Sequence, residues 1–331
     1  MAVTGEWPEG FVMRRFPVRL VGTGLDARHV PGPWLGELLV VLAEGARRAV
    51  RLRLEGRGAT PGAASEWLQR AADFRLHSIR TGSVRLLLEA PTLAEACPER
   101  FGQGTLFEDP SQPFVGRSGL ELFEESVAEI MAGDADGDLY DDGLLETVER
   151  FDTVLGGAPG ARPSGGLDRI ELGRGGRTRV DHAGVARARE LHDRVPAEQR
   201  VLITGRLETI RHSDRMFTLL LASGEKVRGF LLEAADGVDH LRDLWGLPAL
   251  VQGTARYKPS GNLARLEADH IRAAAPGDEA FERLPGSAAA PLADRSLRRP
   301  QARGSGIAAI IGQWPGDESD EDVCEALRQL S

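Results

Sequence analysis

Cysteine is scarce in this chain, whose 331 residues include only Cys97 and Cys324. A fold held together by disulfides needs more, and a chain of this length can bury enough apolar surface without them. We therefore expect a reducing compartment, the cytoplasm. Residues 1–10 have no basic segment followed by an apolar one, so no secretory signal is predicted. The longest apolar run, 34–43, is too short to span a bilayer, and no membrane association is expected.

Aromatic residues and an excess of positive charge are also lacking. Aromatics make up 5% of the chain, and 41 basic residues against 50 acidic ones give a net charge of −9. Sequence-independent binding to nucleic acid depends on neutralising phosphates, so the acid excess disfavours it for the surface as a whole but permits a local basic face. The few aromatics argue against extensive platforms for base stacking.

Signatures of catalysis and metal binding are missing or incomplete. There is no G-x-S-x-G nucleophile elbow and no phosphate-binding P-loop, and the histidines lack zinc-ligand spacing. Gly22-Thr-Gly24 follows a predicted strand, but Pro31 and Pro33 intervene before a helix can begin. The acidic run 134–138 lacks the later glycine and glutamate of a calcium loop. Together with Asp141 and Asp142, it is interpreted as a solvated acidic loop that caps the next helix. No catalytic residue, metal ligand or cofactor is predicted, and an enzyme remains a third alternative.

The predicted fold class is α+β, with five segments along the chain. Residues 1–155 are predicted to form an N-terminal mixed α/β domain, and 156–198 a linker, because its first part is almost entirely Gly, Ala, Pro and Ser. This linker is predicted to contain a strand-like piece at 170–172 and a short helix at 181–194. Residues 199–274 are predicted to form a small β-barrel of OB or SH3-like type. A Pro- and Ala-rich tether, 275–306, is expected to be disordered, and 307–331 is expected to be a partner-binding segment with a short C-terminal helix.

Hydrophobic periodicity places the elements of the N-terminal domain. Val50, Leu52 and Leu54 alternate with Arg51 and Arg53, which predicts a half-buried strand. The predicted elements are strands at 16–21, 49–54, 74–79 and 84–89, with the last two forming a hairpin, and helices at 34–48, 65–72, 121–131 and 144–155.

Five short strands joined by Gly-containing turns predict the barrel. They are expected at 201–210, 216–221, 227–232, 249–257 and 263–271, with a short helix at 238–245. Basic residues here, together with an Arg-Gly stretch at 173–179, are candidate nucleic-acid contacts, although a solvated linker is the preferred interpretation of the stretch. Phe217 and Phe230 are expected to face the barrel core. The candidate contacts are Arg174, Arg177, Arg179, Arg211, Arg215, Lys226, Arg228 and Lys258.

The last 25 residues combine apolar anchors with acidic charge. Isoleucines and Trp314 precede a Pro-Gly turn, six acids follow, and Val323, Leu327 and Leu330 fall on one helical stripe. A helix this short is marginal alone, so the pattern is typical of a segment that folds on a partner, and a cap on the chain's own domains is the alternative. The predicted partner contacts are Ile307, Ile310, Ile311, Trp314, Pro315, Asp317, Glu318, Asp320, Glu321, Val323, Leu327 and Leu330.

The run 310–322 (Ile-Ile-Gly-Gln-Trp-Pro-Gly-Asp-Glu-Ser-Asp-Glu-Asp), with its Ala-Leu-x-x-Leu-Ser ending, resembles the C-terminal segment of bacterial antitoxins encoded beside PIN-domain ribonuclease toxins. The resemblance implies an antitoxin-like protein that neutralises a protein partner. Such antitoxins usually carry a small DNA-binding domain, whereas this chain carries two larger ones. Residues 200–272 resemble a domain of uncharacterised bacterial proteins, which implies no function.

Two main hypotheses follow. The first is a non-enzymatic antitoxin or adaptor that binds a partner, such as a PIN-type ribonuclease toxin, through its acidic C-terminal segment. The alternative is a nucleic-acid-binding protein that acts through the barrel and the Arg-Gly stretch, for which retention on nucleic acid should fall steeply with salt. The sequence leaves the partner's identity and the oligomeric state open.

Overall fold

Two β-sheets organise the computed structural model, which describes residues 11–22, 30, 32–58, 64–80, 84–101, 114–156, 167–211, 215–232, 238–284 and 286. The strands are β1 (Met13–Gly22), β2 (Arg75–Arg80), β3 (Arg85–Pro91), β4 (Leu167–Leu172), β5 (Thr178–Asp181), β6 (Gln199–Arg211), β7 (Met216–Leu220), β8 (Lys226–Leu231), β9 (Pro248–Tyr257) and β10 (Leu263–Ala273). The helices are α1 (Gly32–Glu55), α2 (Glu66–Ala72), α3 (Leu93–Ala96), α4 (Pro98–Phe101), α5 (Gly119–Ala132), α6 (Asp142–Glu149), α7 (Phe151–Gly156) and α8 (His182–Arg194). Short 3₁₀ turns span Arg174–Gly176, Val238–Leu244 and Asp278–Phe281.

The first sheet is antiparallel, with the order β2-β3-β1-β4-β5. Its central strand β1 alternates, and Phe16, Val18 and Leu20 are buried in the core shared with the helices. Helices α5, α7 and α8 contact the sheet, while α1 packs along α5. The predicted strand at 16–21 and the pairing of 74–79 with 84–89 are confirmed.

The predicted strand at 49–54 is wrong, because α1 continues through this segment. Val50 and Leu54 are four residues apart and are both buried, as one face of a helix requires. The intervening arginines reach carboxylates, with Arg51 3.6 Å from Glu55 and Arg53 3.0 Å from Glu125. Over only six residues, an alternation of arginine and aliphatic residues is compatible with a helix as well as with a strand.

The predicted linker at 156–198 needs correction. Strand β4 pairs with β1, and β5 pairs with β4, so both belong to the first sheet. Buried Ile170 and Leu172 complete its core, and α8 packs on α6. The Gly/Pro-rich residues 157–166 lie outside the described residues. The Arg-Gly surroundings of these short strands made them look like a linker, but their apolar residues are needed to close the core.

The predicted helix at 144–155 is divided into α6 and α7. Asp141 is the N-cap of α6, and its side chain accepts a hydrogen bond from the Leu144 amide, which confirms the predicted capping role of this acidic loop. Helix α5 begins with a capping box formed by Ser118 and Glu121, so its start agrees with the predicted helix at 121–131.

The second sheet closes into the predicted five-stranded barrel, with the order β10-β8-β7-β6-β9. Strands β8 and β10 are parallel, and the other neighbours are antiparallel. Phe217, Leu219 and Val251 lie in its core. At Gly229 an added Cβ would collide with the Phe217 ring, so the interior requires glycine there.

Both sheets belong to one compact unit that runs from Met1 to Ala289. The predicted partner-binding residues 307–331 lie outside the described residues, as do 287–306 of the predicted tether. The start of that tether is not disordered as expected, because 275–284 include the 3₁₀ turn Asp278–Phe281, where the Asp278 carbonyl accepts a hydrogen bond from Thr204 Oγ1 at 2.8 Å. Within the part of the chain that is described, no helix combines the length and apolar character needed to cross a membrane.

Candidate nucleic-acid interface

Three adjacent barrel strands present a polar and cationic outer surface, here called the barrel face. Because side chains alternate along a strand, the residues between the buried core positions point outward. In register, Thr218 lies opposite Arg228, and Leu220 lies opposite Lys226. The barrel face consists of Arg206, Glu208, Thr209, Met216, Thr218, Leu220, Lys226, Arg228 and Phe230.

The barrel face is positively charged although the whole chain is acidic. Arg206, Lys226 and Arg228 are all exposed. Lys226 Nζ lies 2.9 Å from an oxygen of Glu208, the single carboxylate among the barrel-face residues. No carboxylate within the described part of the chain pairs with Arg228 or Arg206. Because Arg206 and Arg228 are exposed and are not paired with a described carboxylate, their guanidinium groups are available to a phosphate ligand.

Trp245 stands beside the barrel face and is 67% exposed. Its indole Nε1 donates to the backbone carbonyl of Glu208 at 2.9 Å, which fixes the ring next to the Glu208–Lys226 pair. In the sequence, Trp245 is only the last residue of the predicted helix at 238–245. One feature of the sequence indicates that its ring could be exposed. Trp245 begins a Trp-Gly-Leu-Pro turn, in which a glycine and a proline limit how the ring can be buried.

The barrel face continues into a cleft of about 470 Å³. Strands β7 and β8 form one wall, and the end of α1 with residues 137–141 forms the other. Phe230 belongs to this junction and not to the barrel core, which corrects the sequence expectation. Its ring is packed so closely against Gly56 that a Cβ there would collide with it, and the Arg57 guanidinium lies 5.9 Å from the ring centroid.

The acidic loop 134–138 docks on the barrel through the turn between β9 and β10. Asp136 accepts hydrogen bonds from Ser260 Oγ at 2.8 Å and Asn262 Nδ2 at 3.0 Å, and these bonds lower the pKa of the Asp136 carboxyl. Lys258 Nζ lies 2.8 Å from Asp138 and its side chain is 18% exposed. Lys258, predicted as a nucleic-acid contact, is therefore held by the chain's own carboxylates.

Asp141 and Arg265 form an ion pair at the base of the cleft. Their charged atoms are 3.3 Å apart, and their side chains are 9% and 12% exposed. Asp141 also accepts the Gly58 backbone N–H at 2.6 Å, in addition to capping α6. This carboxylate therefore connects the end of α1, the start of α6 and the barrel.

The other predicted nucleic-acid contacts fall on two different sheets. Arg215 precedes β7 with a left-handed φ of 56°, and its guanidinium donates to the Leu232 carbonyl at 3.4 Å. The side chain of Arg211 lies outside the described residues. Arg174, Arg177 and Arg179 belong to the hairpin of β4 and β5 in the first sheet, so they do not join the barrel face.

Comparisons with protein-family models, curated proteins and solved structures returned no match for this chain. Among the described residues, no group of three or more His, Cys, Asp or Glu side chains is arranged to hold a metal ion. The chemistry that the barrel face offers is charge, hydroxyl hydrogen bonding and one exposed indole ring.

Proposed function

We propose that this protein binds single-stranded nucleic acid through the barrel face. The barrel's topology supports the OB alternative: five strands close in the order β6-β7-β8-β10-β9, β8 runs parallel to β10, and a helical turn precedes β9. Barrels of the OB type bind oligonucleotides on the face of their second and third strands. The corresponding strands here, β7 and β8, carry the barrel face.

The observation that carries this proposal is the immobilised, exposed ring of Trp245 beside exposed cations. A base can stack on an indole whatever its sequence, while arginine and lysine side chains neutralise the phosphates on either side. In this proposal Trp245 stacks a base, and Arg206 and Arg228 contact the backbone. The proposal assigns the chain no catalytic step, metal or cofactor.

Fluorescence anisotropy with labelled single-stranded DNA and RNA tests this proposal on the full chain. We expect binding that weakens as salt increases, and we expect Trp245→Ala to reduce affinity about tenfold because one stacked base contributes about 1–3 kcal/mol. Arg206→Gln/Arg228→Gln should make binding less dependent on salt. Arg283→Gln, at an exposed cation that is not a barrel-face residue, is the control. The absence of salt-dependent binding, or equal effects of all variants, would refute the proposal.

We further propose that residues 307–331 bind a protein partner in the cytoplasm, with the antitoxin-like role that their sequence suggests. The support is the resemblance of 310–322 to antitoxin tails and the apolar stripe that follows it. The two proposals are compatible, since a nucleic-acid-binding body with a toxin-binding tail is the usual plan of an antitoxin. The candidate partner is a PIN-type ribonuclease encoded by the adjacent gene.

Co-expression of this chain with the neighbouring gene product, followed by pull-down and a growth assay, tests the second proposal. Deletion of 307–331 should abolish both binding and rescue of growth. Trp314→Ala should weaken binding by about 2 kcal/mol or more, because buried aromatic anchors dominate such interfaces. If the full chain neither binds nor rescues, the antitoxin role is excluded, while the barrel proposal is unaffected.

A further inference from the structure

The open side of the first sheet carries a second concentration of positive charge, here called the arginine face. On β1, the buried residues Phe16, Val18 and Leu20 point to the helices, so Arg15 and Arg19 point away from them. The register extends this side across all five strands. The arginine face consists of Arg15, Arg19, Arg75, Arg85, Arg169 and Arg179.

These arginines are accessible and close to one another. The side chains of Arg15, Arg19 and Arg169 are 65%, 42% and 38% exposed. Arg19 lies directly opposite Arg85 in the β1–β3 pair. Like charges in directly opposite positions repel each other, and Glu171, 3.3 Å from Arg19, offsets part of this repulsion.

Among the described residues, three carboxylates lie on this side, against the six arginines of the arginine face. They are Glu89, Glu171 and Asp181, and the last is used to cap α8. Glu171 is 8% exposed and lies 3.3 Å from Arg19 and 2.9 Å from Arg169. Burial alone would raise the Glu171 pKa, but the Arg169 hydrogen bond and the nearby guanidinium charges lower it. Glu171 therefore stays ionised and holds two arginines in place.

Among the described residues, the five strands carry no Phe, Tyr or Trp on this side, and the His77 imidazole lies 3.5 Å from Glu89. Pro17, Val21, Ser78 and Leu87 point outward, and none of them is aromatic. Arg85, Arg19 and Arg179 instead lie along one row across the strands, with Glu171 between the last two. Neighbouring strands are about 4.8 Å apart, so Arg85 and Arg19 are one strand spacing apart and Arg19 and Arg179 are two.

We propose that the arginine face binds the phosphate backbone of double-stranded nucleic acid without reading its sequence. A duplex buries its bases and presents about one negative charge per 1.7 Å of its axis, which suits a surface of cations whose strands carry no Phe, Tyr or Trp. The barrel face, with its exposed indole, suits the opposite case of unstacked bases. This site is separate from the single-strand site and does not depend on it.

The test measures binding of the full chain to DNA and RNA duplexes of about 20 base pairs over a salt series. Arg85→Gln/Arg179→Gln should lower the slope of log Kobs against log salt by about 2 for DNA, since each phosphate contact contributes about 0.9. The matched control is Arg194→Gln/Arg283→Gln, which removes the same charge from exposed positions that belong to neither face and should leave duplex binding unchanged. Comparison of the DNA and RNA arms shows which duplex is preferred.

Three outcomes would overturn this inference. They are the absence of duplex binding at low salt, equal losses in the two double variants, and binding of anionic lipid vesicles without binding of either duplex. Arg15→Gln provides a second variant if the first does not fold, because its side chain is the most exposed of the three measured. Loss of single-strand binding alone would refute the barrel proposal and leave the arginine face intact.

Discussion

At the residue scale, Asp141 shows how one carboxylate can stabilise three elements. Asp141→Ala would remove the α6 cap, leave the Gly58 N–H without its acceptor and weaken the support of Arg265. A lost cap costs about 1 kcal/mol and an unsatisfied buried donor about 1–3 kcal/mol. We expect the free energy of unfolding in urea to fall by about 3 kcal/mol. Asp138→Ala, at a side chain 77% exposed, should cost less than about 1 kcal/mol; a similar loss in both would contradict this account.

Glu124 of α5 gives a pH-dependent prediction. Burial raises its carboxyl pKa, and the neighbouring Glu121 and Glu125 raise it further against a hydrogen bond from Thr178. Because the folded state holds this proton more tightly than the unfolded chain, stability declines as pH rises from about 4.3 through the folded-state pKa. Glu124→Gln should therefore be more stable than wild type at neutral pH, with the difference vanishing below about pH 4. Urea unfolding across pH measures this, with exposed Glu190→Gln as control. A difference that does not change with pH would refute it.

Sequence reasoning identified the basic residues but could not assign their surroundings. Lys258 and Arg228 look alike in the sequence, yet the first is held by Asp138 and the second lies exposed on the barrel face. Which of them meets a carboxylate depends on the docking of residues distant in sequence. Trp245 was not predicted as a binding residue for a related reason. A large apolar ring is expected to be buried, and only the tertiary structure shows that this one is held at the surface.

At the element scale, two glycines in α1 should respond oppositely to the same change. Gly36→Ala faces open space, so it should stabilise the protein by about 0.5–1 kcal/mol through helix propensity. Gly45→Ala would make a Cβ collide with the Phe123 ring of α5, and it should lower the free energy of unfolding of the protein by about 1–3 kcal/mol. Thermal unfolding of both variants checks the prediction. Equal shifts of the melting temperature would show that α1 and α5 do not pack this closely.

The elements predicted correctly are those whose periodicity extends over enough residues to be unambiguous. The barrel strands and the β2–β3 pair alternate between turn residues, and they were placed nearly as observed. The strand predicted at 49–54 was wrong because this segment is the end of helix α1. Its apolar residues fit the two-residue period of a strand as well as the 3.6-residue period of a helix. The place of β4 and β5 in the first sheet was not predicted, because β4 pairs with β1, about 150 residues earlier, and β5 pairs with β4. Pairing over this distance leaves no local signal in the sequence.

At the scale of the whole molecule, a chain of net charge −9 separates its charge by region. The barrel face and the arginine face are cationic, whereas six acids lie between Asp317 and Glu325 in the tail. Composition averages these regions, so the acid excess alone could not exclude nucleic-acid binding. From the sequence we expected only that a local basic face could exist. The strand register places two such faces, the barrel face and the arginine face.

The two sheets should unfold together because a small set of contacts joins them. Asp136 bonds with Ser260 and Asn262, and Phe230 packs on Gly56. Wild type should show a single calorimetric transition for residues 1–289, which form one compact unit.

Removing these contacts while leaving both cores intact should separate that transition into two. We therefore expect Asp136→Ala/Phe230→Ala to show two transitions, one for the barrel and one for the first sheet with its helices. The control Asp243→Ala/Leu247→Ala removes one acid and one apolar side chain from exposed positions before β9, and should keep one transition. Two transitions in wild type, or a single unchanged transition in the first variant, would show that these contacts do not couple the sheets.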